Sequence, residues 1–166
     1  MKELIKLIDE HLDKYLPISY PEDIFKAMKY TLMLPGKRLR PVMCLETVRM
    51  LGGDIEMALP TACAIEMLHV QSLIHDDLPC MDDDDYRRGR RTTHKVYGEA
   101  MAVLAGDGLL NFAIETACKA FDKLNVLQSA DYDAKTIGLF ESDVTLNGNE
   151  VYMNEDMAEK FDLEVG

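Results

Sequence analysis

Basic residues are scarce in this chain. Its 166 residues include 18 lysines and arginines against 30 aspartates and glutamates, which gives a net charge of −12. A protein that grips a nucleic-acid backbone needs a basic face that releases counterions, so this balance argues against nucleic acid as a partner. An anionic ligand would have to be captured by a local group of cations.

Paired cysteines are also missing. The four cysteines are scattered and none forms a CxxC pair; they are Cys44, Cys63, Cys80 and Cys118. This pattern indicates neither a zinc site nor a disulfide framework. We interpret all four as buried, reduced thiols.

The N-terminus has no uninterrupted apolar run. Residues 1–16 place charged residues among apolar ones at every third or fourth position. A signal peptide or a membrane span requires a continuous apolar stretch, so we expect a soluble, cytoplasmic protein with no membrane span. With 48% hydrophobic residues, the chain can bury one core of ordinary size, which predicts one main domain and at most a small appendage.

Helical periodicity dominates the first 130 residues. Apolar residues recur there every three or four positions, and proline or glycine separates the periodic segments. The predicted helices run to Leu16, from about Pro21 to Leu34, from Pro41 to Leu51, from about Met57 to Leu78, and from Val96 to Phe121 with an interruption at Gly106-Asp107-Gly108. Residues 1–130 are therefore predicted to be an all-α domain.

Residues 131–166 differ in character. They contain ten acids and two bases, a net charge of −8. Asn147-Gly148 is a type I′ turn signal between two short apolar segments, 144–146 and 149–153, which predicts a β-hairpin. We interpret these residues as a separate acidic tail.

The densest chemistry lies in residues 76–91. Six carboxylates, from Asp76 to Asp85, are followed by four arginines. A solvated loop is the ordinary interpretation of such a run, but here Asp76 and Asp77 end a strongly apolar helix, and crowded carboxylates repel unless a cation shares them. Magnesium is the natural cation, because it takes one or two carboxylates together with substrate phosphates.

Helix geometry predicts one wall of a pocket. His69, Ser72 and Asp76 fall on one helix face over about 10 Å. Asp82 would point about 120° away on a straight helix, so Pro79 must break or bulge the turn if both aspartates are to reach one metal cluster.

A short basic loop offers the complementary charge. Its cations are Lys37, Arg38 and Arg40, which provide point-charge and fork-shaped donors for phosphate oxygens.

These residues occur in ordered motifs. The motifs are Gly36-Lys37-Arg38-Leu39-Arg40-Pro41, the segment 66–82 that ends in the aspartates, Arg87-Arg88-Gly89, Thr93–Gly98 and Leu104–Leu110. Together they resemble the trans-isoprenyl diphosphate synthases, which include farnesyl and geranylgeranyl diphosphate synthases. The resemblance implies an isoprenoid-synthase-type helical bundle, a homodimer, and Mg²⁺-dependent head-to-tail condensation of an allylic diphosphate with isopentenyl diphosphate.

The resemblance also implies roles for particular residues. Asp76 and Asp82, supported by Asp77, would bind magnesium that bridges the allylic diphosphate, and Arg87 would contact the same diphosphate. Isopentenyl diphosphate would be held by Lys37, Arg40, His69 and Arg88.

Product length is expected to depend on Gln71 and Ser72, which precede Asp76 by five and four residues. Bacterial farnesyl-type synthases usually resemble each other in having an aromatic residue at the Gln71 position. The smaller glutamine favours a C20 product over a C15 product.

The chain also departs from the family pattern. We find neither the family's second Asp-rich motif nor its Gly-Gln…Asp motif, and the acidic tail stands in their place. One hypothesis is a synthase chain that is truncated or joined to a foreign C-terminus, and the other is a non-catalytic helical subunit or fragment that binds diphosphate or pairs with another synthase chain. A terpene cyclase is disfavoured, because it has no need of an isopentenyl diphosphate site at Lys37 and Arg40.

Overall fold

The computed structural model describes the backbone of residues 1–128 and the side chains of residues 1–120. Six helices and one small hairpin occur there: α1 Lys2–Tyr15, α2 Glu22–Leu32, α3 Leu39–Met50, α4 Ile55–Asp76, β1 Tyr86–Arg87, β2 Arg90–Arg91, α5 Thr93–Tyr97 and α6 Glu99–Gln128. The predicted all-α class is confirmed. The hairpin predicted at 144–153 lies outside the described residues.

Residues 1–123 form one compact unit, and a second unit begins at Leu124. Of the second unit, only the end of α6 is described.

The core of the first unit is built around α4. Leu4, Ile8 and Leu12 bury one stripe of α1, as the periodicity predicted. From α4 itself, the fully buried Met67, Val70 and Ile74 enter the same core. The long helix α4 is therefore the central support on which α1, α2 and α3 pack.

Helix α3 begins earlier than predicted. Arg38 is its N-cap residue, in the left-handed conformation at φ 45°, and the helix starts at Leu39. Pro41 therefore sits within the first turn, where a missing N–H costs little because the first amides of a helix have no intrahelical acceptor.

The predicted interruption of α6 at Gly106-Asp107-Gly108 is wrong, because the helix runs through all three residues. A Cβ at Gly106 would collide with the imidazole of His75 on α4, and one at Gly108 would lie 2.6 Å from Sδ of Met28 on α2. The two glycines thus serve close packing of α6 against its neighbours, and they do not end the helix.

The cysteines are less uniformly buried than expected. Cys63 is buried and Cys44 is half-buried, but Cys80 and Cys118 are exposed, so the expectation is wrong for these two. Burial raises the pKa of the Cys63 thiol to about 12, which keeps it protonated at neutral pH.

By length and composition, α4 and residues Glu99–Ala120 of α6 would be long and apolar enough to cross a membrane. However, 50% of the α4 segment is buried against the rest of the chain, as in the core helix of a globular domain. Their composition is therefore only weak support for a span.

Candidate active site

The aspartate-rich segment forms a tight turn where α4 ends. The helix stops at Asp76, two residues before its predicted end at Leu78. The N–H of Asp82 then donates to the carbonyl oxygen of Asp76 at 2.8 Å, so the main chain doubles back. Pro79 has no N–H with which to continue the helix, which agrees with the predicted break. The turn brings the backbone of Asp82 beside that of Asp76.

The three aspartates of this turn lie in different environments. Asp76 is half-buried and Asp82 is exposed, whereas Asp77 is only 2% exposed. Nε of Arg87 donates to both carboxylate oxygens of Asp77, at 2.7 and 3.0 Å. Asp77 therefore supports the site by holding Arg87, and Asp76 and Asp82 are the aspartates open to a ligand.

The donor set fits magnesium held jointly with a substrate. Among residues 1–120, no group of three or more His, Cys, Asp or Glu side chains is arranged to hold a metal by itself. Magnesium is commonly held by one or two carboxylates together with phosphate oxygens and waters. Asp76 and Asp82 match that pattern, with phosphate left to supply the other ligands.

A two-stranded hairpin that the sequence analysis missed presents the arginines. Tyr86 pairs with Arg91 and Arg87 pairs with Arg90. Arg88 and Gly89 form the turn with φ of 52° and 79°, and positive φ at both central residues is typical of a type I′ turn. Gly89 was a signal for this turn, because glycine favours positive φ. The first central position holds Arg88, however, whereas asparagine, aspartate or glycine is usual there.

Arg87 is fixed on both sides by carboxylates. Besides Asp77, the exposed Asp84 accepts from its Nη2 at 3.1 Å. The hydrogen bond that Arg87 donates to Asp77 is the main cause that raises the pKa of its guanidinium. The side chain is still about a quarter exposed, so its outer edge remains accessible to an anion.

The basic loop divides into one buried and two exposed cations. Arg38 is 2% exposed, and it donates to the carboxylates of Asp9 and Glu66 at 2.8 and 2.9 Å. Lys37 and Arg40 are exposed and make no hydrogen bond or ion pair with the residues that the structure describes. The expectation that Arg38 offers donors to phosphate is wrong, because its guanidinium is used inside the protein.

His69 lies among these cations. Burial lowers the pKa of its imidazole, and the nearby positive charges of Arg40, Arg88 and Arg87 lower it further. Like charges disfavour protonation, so the imidazole is mainly neutral at pH 7. His69 is therefore under the electrostatic influence of cations from both the basic loop and the hairpin.

Arg88 contacts the basic loop directly. Its Nη1 donates to the carbonyl oxygen of Leu34 at 3.3 Å, and its Nη2 lies 3.8 Å from Oε1 of Glu66. Gly36 leaves room for it, since a Cβ there would lie 2.6 Å from Nη1 of Arg88. Glu66 is the residue here that sequence reasoning missed, although a glutamate among the apolar residues of α4 was a signal for a buried partner.

Gln71 and Ser72 face different surroundings. The hydroxyl of Ser72 donates to the carbonyl oxygen of His69 at 2.8 Å, on the side of the helix that Asp76 occupies. The amide of Gln71 lies 3.0 Å from Nδ1 of His75, whose Nε2 is 3.1 Å from the carbonyl oxygen of Val103 on α6. Gln71 therefore lies toward the junction of α4 and α6.

The family model and the relatives that match this chain agree with one another. The family model described as polyprenyl synthetase matches residues 21–145. The chain is 48% identical over 138 residues to the heterodimeric geranylgeranyl pyrophosphate synthase large subunit 1, chloroplastic, of Arabidopsis thaliana, a match that covers 80% of this chain and 37% of that protein. It is 51% identical over 124 residues to the farnesyl diphosphate synthase of Geobacillus stearothermophilus, which covers 74% of this chain and 42% of that one.

The fold agrees with the sequence matches. The crystal structure of geranyltranstransferase from Thermotoga maritima superposes with a TM-score of 0.68 at 36% identity, covering 75% of this chain and 47% of that chain. The chain spans between about a third and a half of the length of the curated relatives that it matches. With its family match, its relatives and its helical fold in agreement, the chain belongs to the polyprenyl synthetase family.

Proposed function

We propose that this chain forms the part of a prenyl diphosphate synthase that binds an allylic diphosphate through Mg²⁺ and receives isopentenyl diphosphate beside it. The observation that carries the proposal is the arrangement at the end of α4. Asp76 and Asp82 are left open to a metal while Arg87 is held next to them by Asp77. The next residue, Arg88, donates to the carbonyl oxygen of Leu34 beside the basic loop, so the hairpin joins the acidic and basic halves.

The chemistry of the family explains why both signs of charge are needed. In the condensation, the allylic C–O bond breaks, the double bond of isopentenyl diphosphate attacks the allylic carbon, and a proton is lost. Magnesium, when bound, stabilises the charge of the departing diphosphate. Asp76 and Asp82 would hold that metal, and Arg87 would bind a diphosphate oxygen from a fixed position.

The second diphosphate would lie on the basic side. Lys37 and Arg40 are exposed and unpaired among residues 1–120, so their charges are available to an anion. Arg88 and the neutral His69 complete this group of donors. A cationic subsite without carboxylate ligands suits a substrate that keeps its diphosphate throughout the reaction.

A non-catalytic subunit is the second candidate. A relative of similar sequence is named as the large subunit of a heterodimeric synthase. In that case the chain would bind diphosphate and pair with a second synthase chain. We propose a homodimer for the first candidate, a cytoplasmic location for both, and no membrane span for either.

Calorimetry tests the shared part of both candidates. The wild-type chain is titrated with inorganic diphosphate in the presence and absence of Mg²⁺, and compared with Asp76→Ala/Asp82→Ala. We expect Mg²⁺-dependent binding that the double variant weakens at least about tenfold, because each metal-bridged contact is charge-assisted. Asp23→Ala/Glu115→Ala removes the same charge from exposed positions elsewhere and should bind as the wild type does. Equal affinity in the wild type and the Asp76→Ala/Asp82→Ala variant would reject the site.

A further inference from the structure

One buried carboxylate lies between Arg38 of the basic loop and Arg88 of the hairpin. Glu66 is 1% exposed in the middle of α4. Nη1 of Arg38 donates to its Oε1 at 2.9 Å, and Nη2 of Arg88 lies 3.8 Å from the same oxygen. Two guanidinium groups from distant parts of the chain therefore share a single negative group.

Arg38 also binds the backbone between α2 and α3. Nη2 of Arg38 donates to the carbonyl oxygens of Leu32 and Leu34, at 2.9 and 3.1 Å. Arg88 donates to the carbonyl oxygen of Leu34 as well. Since Lys37 and Arg40 flank Arg38, the direction of both exposed cations follows from how Arg38 is held.

We propose that Glu66 is a positioning residue for the diphosphate subsite: it holds Arg38 and Arg88 side by side and so fixes the start of α3, where Lys37 and Arg40 lie. This inference rests on the proposed function for its ligand. Arg38 and Arg88 repel each other, and burial and the charge of Arg38 both lower the pKa of the Arg88 guanidinium. Without the shared carboxylate, repulsion drives the more exposed Arg88 out toward solvent.

An opposite effect has to be weighed. Glu66 also attracts Arg88 and so competes with a phosphate for its charge. At 3.8 Å, however, Glu66 makes no hydrogen bond to Nη2 of Arg88, so the N–H groups of this nitrogen remain available to a ligand. The positioning of Arg88 by Glu66 therefore outweighs the competition with phosphate, and loss of Glu66 weakens binding of the diphosphate.

Asp9 offers a matched comparison. It accepts from Nε of Arg38 at 2.8 Å, but it makes no hydrogen bond or ion pair with Arg88 in the described part of the chain. Asp9→Asn thus removes a charge from Arg38 while the link between Arg38 and Arg88 stays. It controls for a simple loss of stability.

The first experiment is a double-mutant cycle. Calorimetry measures how tightly the full chain and its variants bind isopentenyl diphosphate. Glu66→Gln should weaken binding about tenfold, and Asp9→Asn by less than about threefold. In an Arg88→Ala background, Glu66→Gln should have at most about a twofold further effect, because the two residues act through one contact. Fully additive losses would overturn the proposal.

The second experiment needs no ligand. Hydrogen exchange of the arginine side-chain N–H groups, followed by NMR, should show Arg88 protected in the wild type and in Asp9→Asn, but rapidly exchanging in Glu66→Gln. Equal protection of Arg88 in Glu66→Gln overturns the role of Glu66. If the wild type binds no isopentenyl diphosphate while the exchange result holds, the proposed function fails and the positioning role stands.

A third variant covers the case in which Glu66→Gln does not fold. Arg38→Met/Glu66→Met replaces the buried pair with apolar side chains, so neither member of the pair stays buried without the other, a change that proteins often tolerate. Arg88 should again lose its protection in this variant, since its counter-charge is gone. Protection of Arg88 equal to that of the wild type counts against the proposal.

Discussion

Nε of Arg87 donates to both carboxylate oxygens of Asp77, ten residues earlier in the chain, at 2.7 and 3.0 Å. The pair connects the end of α4 to the first strand of the hairpin. Because Asp77 is buried and Arg87 is partly exposed, the aspartate fixes the arginine without covering it. Arg87, which is a candidate to bind phosphate, is thus held in position by Asp77, and both carboxylate oxygens of Asp77 accept from it.

Asp77→Ala is expected to destabilise the protein. Removing one partner of a largely buried ion pair leaves the other uncompensated, which should cost about 2 kcal/mol in the free energy of unfolding, less than for a fully buried pair because Arg87 reaches solvent. Urea denaturation measures this. Asp84→Ala removes the exposed carboxylate on the same arginine and should cost under about 0.5 kcal/mol. Equal effects of the two variants would contradict this difference.

His69 is expected to titrate below its ordinary range. Because burial and neighbouring arginines lower its folded-state pKa beneath 6.5, the unfolded chain binds a proton at His69 before the folded chain does. The contribution of His69 to stability is therefore complete above the unfolded pKa and falls as pH drops from 6.5 to the folded pKa. NMR titration of the imidazole and unfolding at pH 7.5 and 5.5 measure the two effects. His69→Gln should lose this part of the pH dependence, and an imidazole pKa above 6.5 would refute the assignment.

Gly106→Ala should destabilise the protein, although alanine favours helices. The added methyl group has no room beside the imidazole of His75. Overpacking of this kind typically costs about 2 kcal/mol, more than the roughly 1 kcal/mol that alanine gains over glycine in helix propensity. Thermal unfolding measures the change. His75→Ala in the same chain should restore most of the loss, and a failure of this rescue would show that the collision is not the cause.

Gln71→Tyr is expected to shorten the product when it is made in a complete synthase that carries this N-terminal region. Gln71 lies toward the α4–α6 junction beside His75, and a tyrosine there fills space that a growing chain would otherwise occupy. Chromatography of the products should show a shift in chain length from C20 toward C15. Phe112→Tyr on α6, a change in size at a position packed against Phe25, should leave the product unchanged. An unchanged product from Gln71→Tyr would remove the argument.

The 166-residue chain by itself is expected to bind diphosphates with Mg²⁺ but to condense dimethylallyl and isopentenyl diphosphates far more slowly than a full-length relative. Only one aspartate-rich cluster is recognisable in the sequence, whereas an ionising diphosphate needs cations on both sides. Lost electrostatic stabilisation at such a centre costs several kcal/mol, and each 1.4 kcal/mol is about tenfold in rate. Incorporation of radiolabelled isopentenyl diphosphate at ordinary synthase rates, abolished by Asp76→Ala, would falsify this expectation.

The helices were largely predictable, because their apolar faces recur with the period that core packing demands. The first helix was predicted to run to Leu16, and α1 ends one residue earlier, at Tyr15. The errors arose where neighbours in space decide the outcome. Gly106 and Gly108 were expected to break α6, yet they allow close approach to His75 and Met28, residues that are distant in sequence.

The candidate site divides in the same way. Asp76 and Asp82 could be proposed as candidates from residue order, because carboxylates at the end of an apolar helix are a local pattern, and the roles of Arg87 and Arg88 were implied by the family resemblance. Which cation of the loop is buried could not be identified, since Arg38 and Arg40 are chemically identical and two residues apart. Glu66 from α4 and Asp9 from α1 bury Arg38 and leave Arg40 exposed, and only tertiary structure brings those two carboxylates to the loop.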